Sequence, residues 1–295
     1  MRSTVASVVA RATLGFLSLS GVTALKPARA GIIYSTGFEN PPYTNGSQLS
    51  GQDGWFAPSP TNPPGYPFNL NPAAAVISST NPHTGSQSVQ VRGSNLQTDA
   101  NVNGATSGYY NAIGSYRHAV SYLAGTGTTT VQGDVFVSGP TTANSNFFSA
   151  SVAALGTGGV GLGELAISSD GHVHAYTGDD AVPTFLFNTP ITLSQWHTLA
   201  VVDDFGASKT SFYVDGSLLG TSPFASDYAG DQILNRGSII AYAGSDSGNT
   251  LKSNYAAYYD NFSISQTPEP AAIGSLLAFA PLMARRRHAR VGCGR

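Results

Sequence analysis

Charge is scarce in this 295-residue chain: Asp, Glu, Lys and Arg make up 10% of it, where ordinary soluble domains carry roughly 25%. A coiled coil or an acidic disordered chain needs far more. Cysteine is almost absent as well. The single Cys293 lies beyond an arginine cluster, so residues 31–266 hold none, and neither disulfides nor thiolate metal sites hold that region together. Amphipathic helix is also missing, because Gly, Pro, Ser and Thr interrupt nearly every window of helical length between Gly31 and Gln266. What is abundant is glycine (34), proline (17), tyrosine (14) and phenylalanine (14), in a chain 41% hydrophobic. That is enough apolar surface for a sizeable core, and the length suits one sandwich-type domain or two small ones; we read one.

Both ends differ from the middle. Arg2 and Arg11 precede an apolar, small-residue stretch from Ala12 to Leu25, and Ala28-Arg29-Ala30 has the small-x-small pattern of a signal-peptidase site. A signal peptide over residues 1–30, cut after Ala30, is the expectation; a first amphipathic helix is disfavoured by the lack of acids and the abrupt change at Gly31. At the other end, Thr267-Pro268-Glu269-Pro270 precedes an apolar run from Ala271 to Ala284 and then Arg285-Arg286-Arg287. Fewer than the ~20 apolar residues of a comfortable span are present, and the arginines would stay on the cytoplasmic side.

This tail resembles the PEP-CTERM sorting signal of Gram-negative bacteria. The resemblance implies transient inner-membrane contact, recognition of Pro268, Glu269, Pro270 and the Arg285–Arg287 cluster by an exosortase, and delivery to the envelope, cell surface or extracellular matrix. The alternative for residues 267–295 is a plain carboxy-terminal anchor. Either way the domain faces outward.

Setting the ends aside uncovers the charge of the middle. Residues 31–266 keep Arg92, Arg117, Lys209, Arg236 and Lys252 against fifteen acids, a net of −10. A surface so acidic repels phosphate backbones, which argues against nucleic acid as a partner.

Short β-rich runs fill this region: Ile32–Phe38, Ser88–Val91, Thr129–Val137, Phe147–Ala154, Leu162–Ile167, His172–Tyr176, Trp196–Val202, Ser211–Val214, Ser238–Tyr242 and Ala257–Ile264. Asp215-Gly216 predicts a two-residue hairpin turn, since Gly takes positive φ without steric cost; Ser169-Asp170-Gly171 does similar duty. Pro58–Pro72 reads as one long surface loop. Many short strands with such turns predict an all-β, antiparallel β-sandwich of jelly-roll type over residues 31–266.

Several stretches carry a resemblance. Gln195-Trp196-His197-Thr198-Leu199 followed by Phe212-Tyr213-Val214-Asp215-Gly216 resembles the W-H-x-hydrophobic strand and Y-V-D-G hairpin of concanavalin A-like (laminin G-like) lectin/glucanase domains. Gly37-Phe38-Glu39, Gly51-Gln52-Asp53-Gly54-Trp55, Thr84-Gly85-Ser86-Gln87-Ser88-Val89 and Tyr259-Asp260-Asn261-Phe262-Ser263-Ile264 are similar to jelly-roll carbohydrate-binding modules. The likeness bears on architecture more than on activity.

Catalysis has little support. Glycosidases use two carboxyl groups about 5–10 Å apart, which the glucanases of this superfamily place as E-x-D-x-x-E or E-x-D-x-E on a concave strand. Neither pattern occurs, nor do the Q-I-H and Y-F-K-x-G strands of jelly-roll alginate lyases, nor a G-x-S-x-G elbow. The glutamates of residues 31–266 are only Glu39 and Glu164, and the aspartates fall mostly at turns, Asp170, Asp179-Asp180, Asp203-Asp204, Asp215 and Asp246, where they read as serving the backbone. The expectation is a protein that is not an enzyme.

Binding candidates are His172, His174 and Tyr176, at i, i+2 and i+4 of a strand and therefore on one sheet face. They would line a cleft if that face is concave; the alternative is a solvated polar face without a ligand. No third ligand completes a His172-x-His174 metal site. Trp55, beside a Gly-rich turn, and Tyr109-Tyr110 are candidate platforms for sugar rings, with loop packing as the alternative for the pair. Trp196, flanked by apolar residues, reads as core.

Asp260 is the oddity of the last strand. By period-two alternation it points with Tyr258, Phe262 and Ile264, and a buried carboxylate must find donors or a cation. In jelly-roll carbohydrate modules an early Phe-Glu and a late Asp hold a structural calcium. The resemblance therefore implies Glu39 and Asp260 as Ca²⁺ ligands, with backbone carbonyls; satisfaction of Asp260 by local amides or Tyr hydroxyls is the alternative. We read an exported, non-catalytic carbohydrate-binding sandwich with extracellular polysaccharide as partner. The alternatives are a polysaccharide lyase or glycoside hydrolase with an unrecognised site, and a purely structural matrix protein.

Overall fold

The computed structural model describes residues 31–58, 71–98, 112–123, 127–138, 147–156, 161–178, 184–224, 233–244 and 255–267. The two terminal segments, Tyr109-Tyr110 and most of the Pro-rich stretch lie outside these residues. Sixteen strands form among them: β1 (Gly31–Thr36), β2 (Trp55–Phe56), β3 (Ala75–Ser78), β4 (Ser88–Arg92), β5 (Gln97–Thr98), β6 (Ala112–Leu123), β7 (Thr128–Val137) and β8 (Phe147–Leu155) in the first half, then β9 (Gly161–Ser168), β10 (His172–Gly178), β11 (Thr184–Pro190), β12 (Trp196–Asp204), β13 (Lys209–Val214), β14 (Ser217–Pro223), β15 (Leu234–Gly244) and β16 (Ala256–Thr267). No helix among the described residues is long and apolar enough to cross a membrane.

The strands pair antiparallel into two eight-stranded sheets. Sheet A runs β14-β13-β12-β7-β16-β4-β3 with β1 on β16, and sheet B runs β11-β10-β9-β8-β15-β6-β2 with β5 on β6. This is the antiparallel β-sandwich the turn spacing predicts, with first and last strands as neighbours. Asp215 and Gly216, at φ 50° and 75°, make the expected hairpin between β13 and β14.

Alternation decides what lies between the sheets. Val131, Val135, Leu199, Val201, Phe212, Tyr259, Phe262 and Ile264 of sheet A meet Phe148, Val152, Leu165, Ile167, Val173, Ala175 and Ile239 of sheet B in one buried cluster. Two inward glycines set the approach of the sheets. A Cβ on Gly237 would sit 2.7 Å from Ile264 Cδ1 and 2.8 Å from Phe262 Cζ, and one on Gly163 would sit 2.7 Å from Thr210 Cγ2.

Three side chains depart from the sequence reading. Asp260 does not point with the apolar set: β16 bulges between Asp260 and Ser263, where Asn261 takes φ 46°. The extra residue re-phases the strand, so Tyr259, Phe262 and Ile264 enter the core while Tyr258 and Asp260 lie on the outer face of sheet A. Trp196 is half-exposed rather than core, because β12 turns Leu199 and Val201 inward and Trp196 outward. Asp203 is not a turn residue but stands inside β12, fully buried.

Candidate functional site

The outer face of sheet B gathers one set of chemistry-bearing side chains among the described residues. Val173 and Ala175 turn into the core, so His172, His174 and Tyr176 share the opposite face as predicted. Cross-strand register extends that face. Tyr176 is level with Glu164, His174 with Ala166 and His172 with Ser168; on the next strand these meet Ala153, Ser151 and Ser149, and then Ser238, Ile240 and Tyr242 on β15. Ser238 is level with Arg117 of β6.

The result is a floor of small residues between two rims. Ser149, Ser151, Ala153, Ala166 and Ser168 have no exposed surface. Tyr242 donates its hydroxyl to Glu164 Oε2 at 3.1 Å, a span over β8 that joins β15 to β9. His172 and His174 rings are 6.3 Å apart, and His174 and Tyr176 rings 6.4 Å. Asp170, in the β9–β10 turn, accepts the His172 N–H at 3.1 Å and lies 3.7 Å from His174 Nε2. His174, Tyr176 and Glu164 are nearly buried, whereas His172, Tyr242, Arg117, Arg236 and Phe56 keep intermediate exposure. Hydroxyl, imidazole, carboxylate and guanidinium on one sheet face form a hydrogen-bonding surface, with Phe56 and the tyrosines as its aromatic part.

Glu164, Tyr242, Arg117 and Arg236 were not singled out from sequence. The signal was there: Ile239, Ala241 and Ala243 alternate with Ile240 and Tyr242, and Leu165 and Ile167 with Glu164, Ala166 and Ser168. Which strands lie side by side is set by long-range pairing that alternation alone does not give.

Trp55 is a correction. It is 1% exposed and belongs to the core, because Trp55-Phe56 pairs with β6 so that Trp55 turns inward and Phe56 outward. Its Nε1 donates to Tyr34 Oη at 2.9 Å and Tyr43 Oη at 3.1 Å. Both hydroxyls donate to Asp53 Oδ2, and Tyr34 stacks on His118 at 3.5 Å. Burial, with the Asp53 carboxylate beside it, pushes the Tyr43 hydroxyl up to about 12. No face of the Trp55 indole is available to a sugar. Tyr109 and Tyr110 lie outside the described residues.

Glu39 and Asp260 come together on the loop before β4. Asp260 Oδ2 accepts the His83 and Thr84 N–H groups at 2.9 and 3.0 Å, and its Oδ1 accepts the Asn261 N–H at 2.7 Å. Glu39 Oε1 accepts from the Ser86 and Gln87 amides and Oε2 from the Ser86 hydroxyl. Burial pushes both carboxyls up. For Glu39 the Ser86 and Gln87 donors outweigh it and hold the group below its ordinary value. For Asp260 burial wins over its amides, with the Asp134 charge adding to it.

Calcium wants six to eight hard oxygens. Oδ1 of Asp260 and Oδ1 of Asn261 both lie 3.7 Å from the place a Cβ on Gly37 would fill, with Glu39 Cγ at 3.9 Å. Among the described residues no group of three or more His, Cys, Asp or Glu is arranged around a metal position. In this structure Asp260 is satisfied by local amides, the alternative read from the sequence; a calcium at the Gly37 cradle would rest on Asp260, the Asn261 amide oxygen and backbone carbonyls, since Glu39 turns only its Cγ there and gives its carboxylate to Ser86 and Gln87 donors.

A second cluster crowns the outer face of sheet A. His83 Nδ1 lies 2.7 Å from Asp134 Oδ2, and Asp134 also accepts from Thr198 Oγ1 at 2.6 Å and Asn261 Nδ2 at 2.8 Å. The His83 ring stacks on Trp196 at 5.0 Å, and Phe136 and Tyr258 continue the row. With Asp260 on its amide, His83 is pinned at both backbone and ring, and the cluster anchors the loop.

No family model matches the chain, and no curated protein does. Solved structures do resemble it. One is the CBM2 module of the Lactobacillus casei BL23 phage J-1 evolved Dit, at 10% identity and TM-score 0.49, covering 83% of this chain and 99% of that one. Another is alginate lyase A1-II′ of polysaccharide lyase family-7, at 13% identity and TM-score 0.44, covering 65% and 84%. A sialidase is similar at 12% identity and TM-score 0.44 over 75% of this chain, which spans 18% of the sialidase's length. At such identities the likeness is one of fold.

Proposed function

We propose that the protein is an exported, non-catalytic carbohydrate-binding β-sandwich whose ligand face is the outer side of sheet B. The carrying observation is the convergence of His172, His174, Tyr176, the Tyr242–Glu164 pair, Arg117 and Arg236 around one floor of small residues. Export through signal peptidase and sorting by an exosortase belong to the same proposal and rest on the sequence of the two ends. So does placement at the envelope, the cell surface or in the matrix.

A screen of purified protein against a glycan panel tests it, with retained ligand and released product read in the same wells. Saturable retention of a polysaccharide without cleavage is the expected result. Reducing ends or unsaturated products would make it a hydrolase or lyase, and a blank panel would leave a structural matrix role.

Structural calcium at the Gly37 cradle is also part of the proposal. An ion that binds only the native state raises apparent stability by mass action. Addition of a chelator is therefore expected to lower the melting temperature, and an unchanged melt removes calcium from the account.

A further inference from the structure

The charge of sheet B runs against that of the domain. Residues 31–266 carry a net −10, yet the strands of sheet B hold one acid, Glu164, and two arginines, Arg117 and Arg236. Both arginines stand on the outer face, at the rim opposite Glu164 and Tyr176.

Arg236 is the more telling of the two. The four ion pairs among the described residues all join His to Asp, so no carboxylate pairs with it there despite the acidic surroundings. Its guanidinium lies 5.5 Å from the centre of the outward Phe56 ring, and its Nε is buried with no hydrogen-bond partner. A buried donor left unsatisfied is costly, more so when charged. Arg117, level with Phe56, donates its Nε to Ser115 Oγ at 3.2 Å. A guanidinium held over an aromatic ring is positioned for fork-like recognition of a carboxylate.

We propose that this face takes an acidic polysaccharide, a chain of uronic-acid units, with Arg236 and Arg117 on sugar carboxylates and, across β8, Glu164 and the Tyr242 hydroxyl that meets it on sugar hydroxyls. The proposal rests on the reading of this face as the glycan site, and its test separates the two. Arg236 to the His174–Tyr176 strand is three strand spacings, about 14 Å at ~4.8 Å each, so a glycan lying across the sheet touches both rims.

Titration of the intact protein with polygalacturonate and with neutral dextran at two salt concentrations is the experiment. The expected result is saturable polygalacturonate binding that weakens as salt screens the charges, with dextran not retained. Arg236→Gln loses at least about tenfold in affinity, equal to ~1.4 kcal/mol, and Arg236→Lys recovers only part of it. Comparison of melting curves shows that the variants fold.

Dextran binding as tight as polygalacturonate, or unchanged affinity in Arg236→Gln, overturns the acidic-ligand inference. If another neutral glycan of the panel is retained instead, the glycan site stands and this inference fails. If no glycan is retained, both fall.

Discussion

Trp55→Ala is expected to destabilise the protein by about 3–5 kcal/mol, the range for truncating a large buried aromatic. The ring is 1% exposed, edge-on to Phe262 at 5.0 Å and within 5.8 Å of Phe38. It links β2 to the β1 tyrosine through Nε1, so truncation removes donors from Tyr34 and Tyr43 as well as leaving a void. Such a loss approaches the whole stability of a domain, typically about 5–15 kcal/mol. Trp55→Phe keeps most of the packing and drops the N–H, and is expected to cost about 1–2 kcal/mol. Denaturant melts of the two variants check this. A cost for Trp55→Ala within about 0.5 kcal/mol, as for an exposed side chain, would show that the indole is at the surface.

Asp203→Asn is expected to have the opposite sign. Asp203 points between the sheets beside Leu199 and Val201, and takes one hydrogen bond, from Thr210 Oγ1 at 2.7 Å. Its Oδ2 and the cross-strand Thr129 Oγ1 are both buried without partners. Burial pushes this carboxyl from 3.8 up to about 7. Between those pH values the native state binds a proton that the unfolded chain has released, so stability falls as pH rises through the window and stays low above it. At pH 8 the full cost applies, on the order of 4 kcal/mol from the width of the shift.

Asparagine has no charge to bury, accepts from Thr210 and offers an N–H toward Thr129. The variant should match the wild type near pH 4 and exceed its stability by a few kcal/mol at pH 8. Melting temperatures across pH 4–8 decide this. Parallel curves for the two proteins would place the Asp203 carboxyl in contact with water.

Sequence reading reached the fold because the fold is written locally. Alternating runs, the Asp215-Gly216 turn and the absence of helical windows are properties of neighbouring residues. Each of the ten anticipated runs falls on a strand of the sandwich, the first overrunning β1 by two residues, while β6, interrupted by polar and small residues, had no such pattern to show. The face of His172, His174 and Tyr176 was legible for the same reason, since three residues of one strand need no partner strand to define it. Trp55 and Asp260 were misplaced because their directions depend on long-range events. Trp55 is turned inward by pairing with β6, and Asp260 outward by one left-handed residue, Asn261, that shifts the strand's phase. Asp203 was misjudged because an Asp-Asp pair looks like a turn, and only Asp204 serves it, accepting the Ala207 N–H at 2.9 Å.

Two aromatic surfaces now compete for a glycan: Tyr242 on the outer face of sheet B, and the Trp196 row on the outer face of sheet A. The most direct test is a titration of the panel's retained polysaccharide against wild type, Tyr242→Ala and Trp196→Ala, all verified as folded by their melts. The sheet B account predicts at least about a tenfold loss, ~1.4 kcal/mol, for Tyr242→Ala and wild-type affinity for Trp196→Ala. Loss in Trp196→Ala with Tyr242→Ala unaffected would contradict it and move the ligand to sheet A.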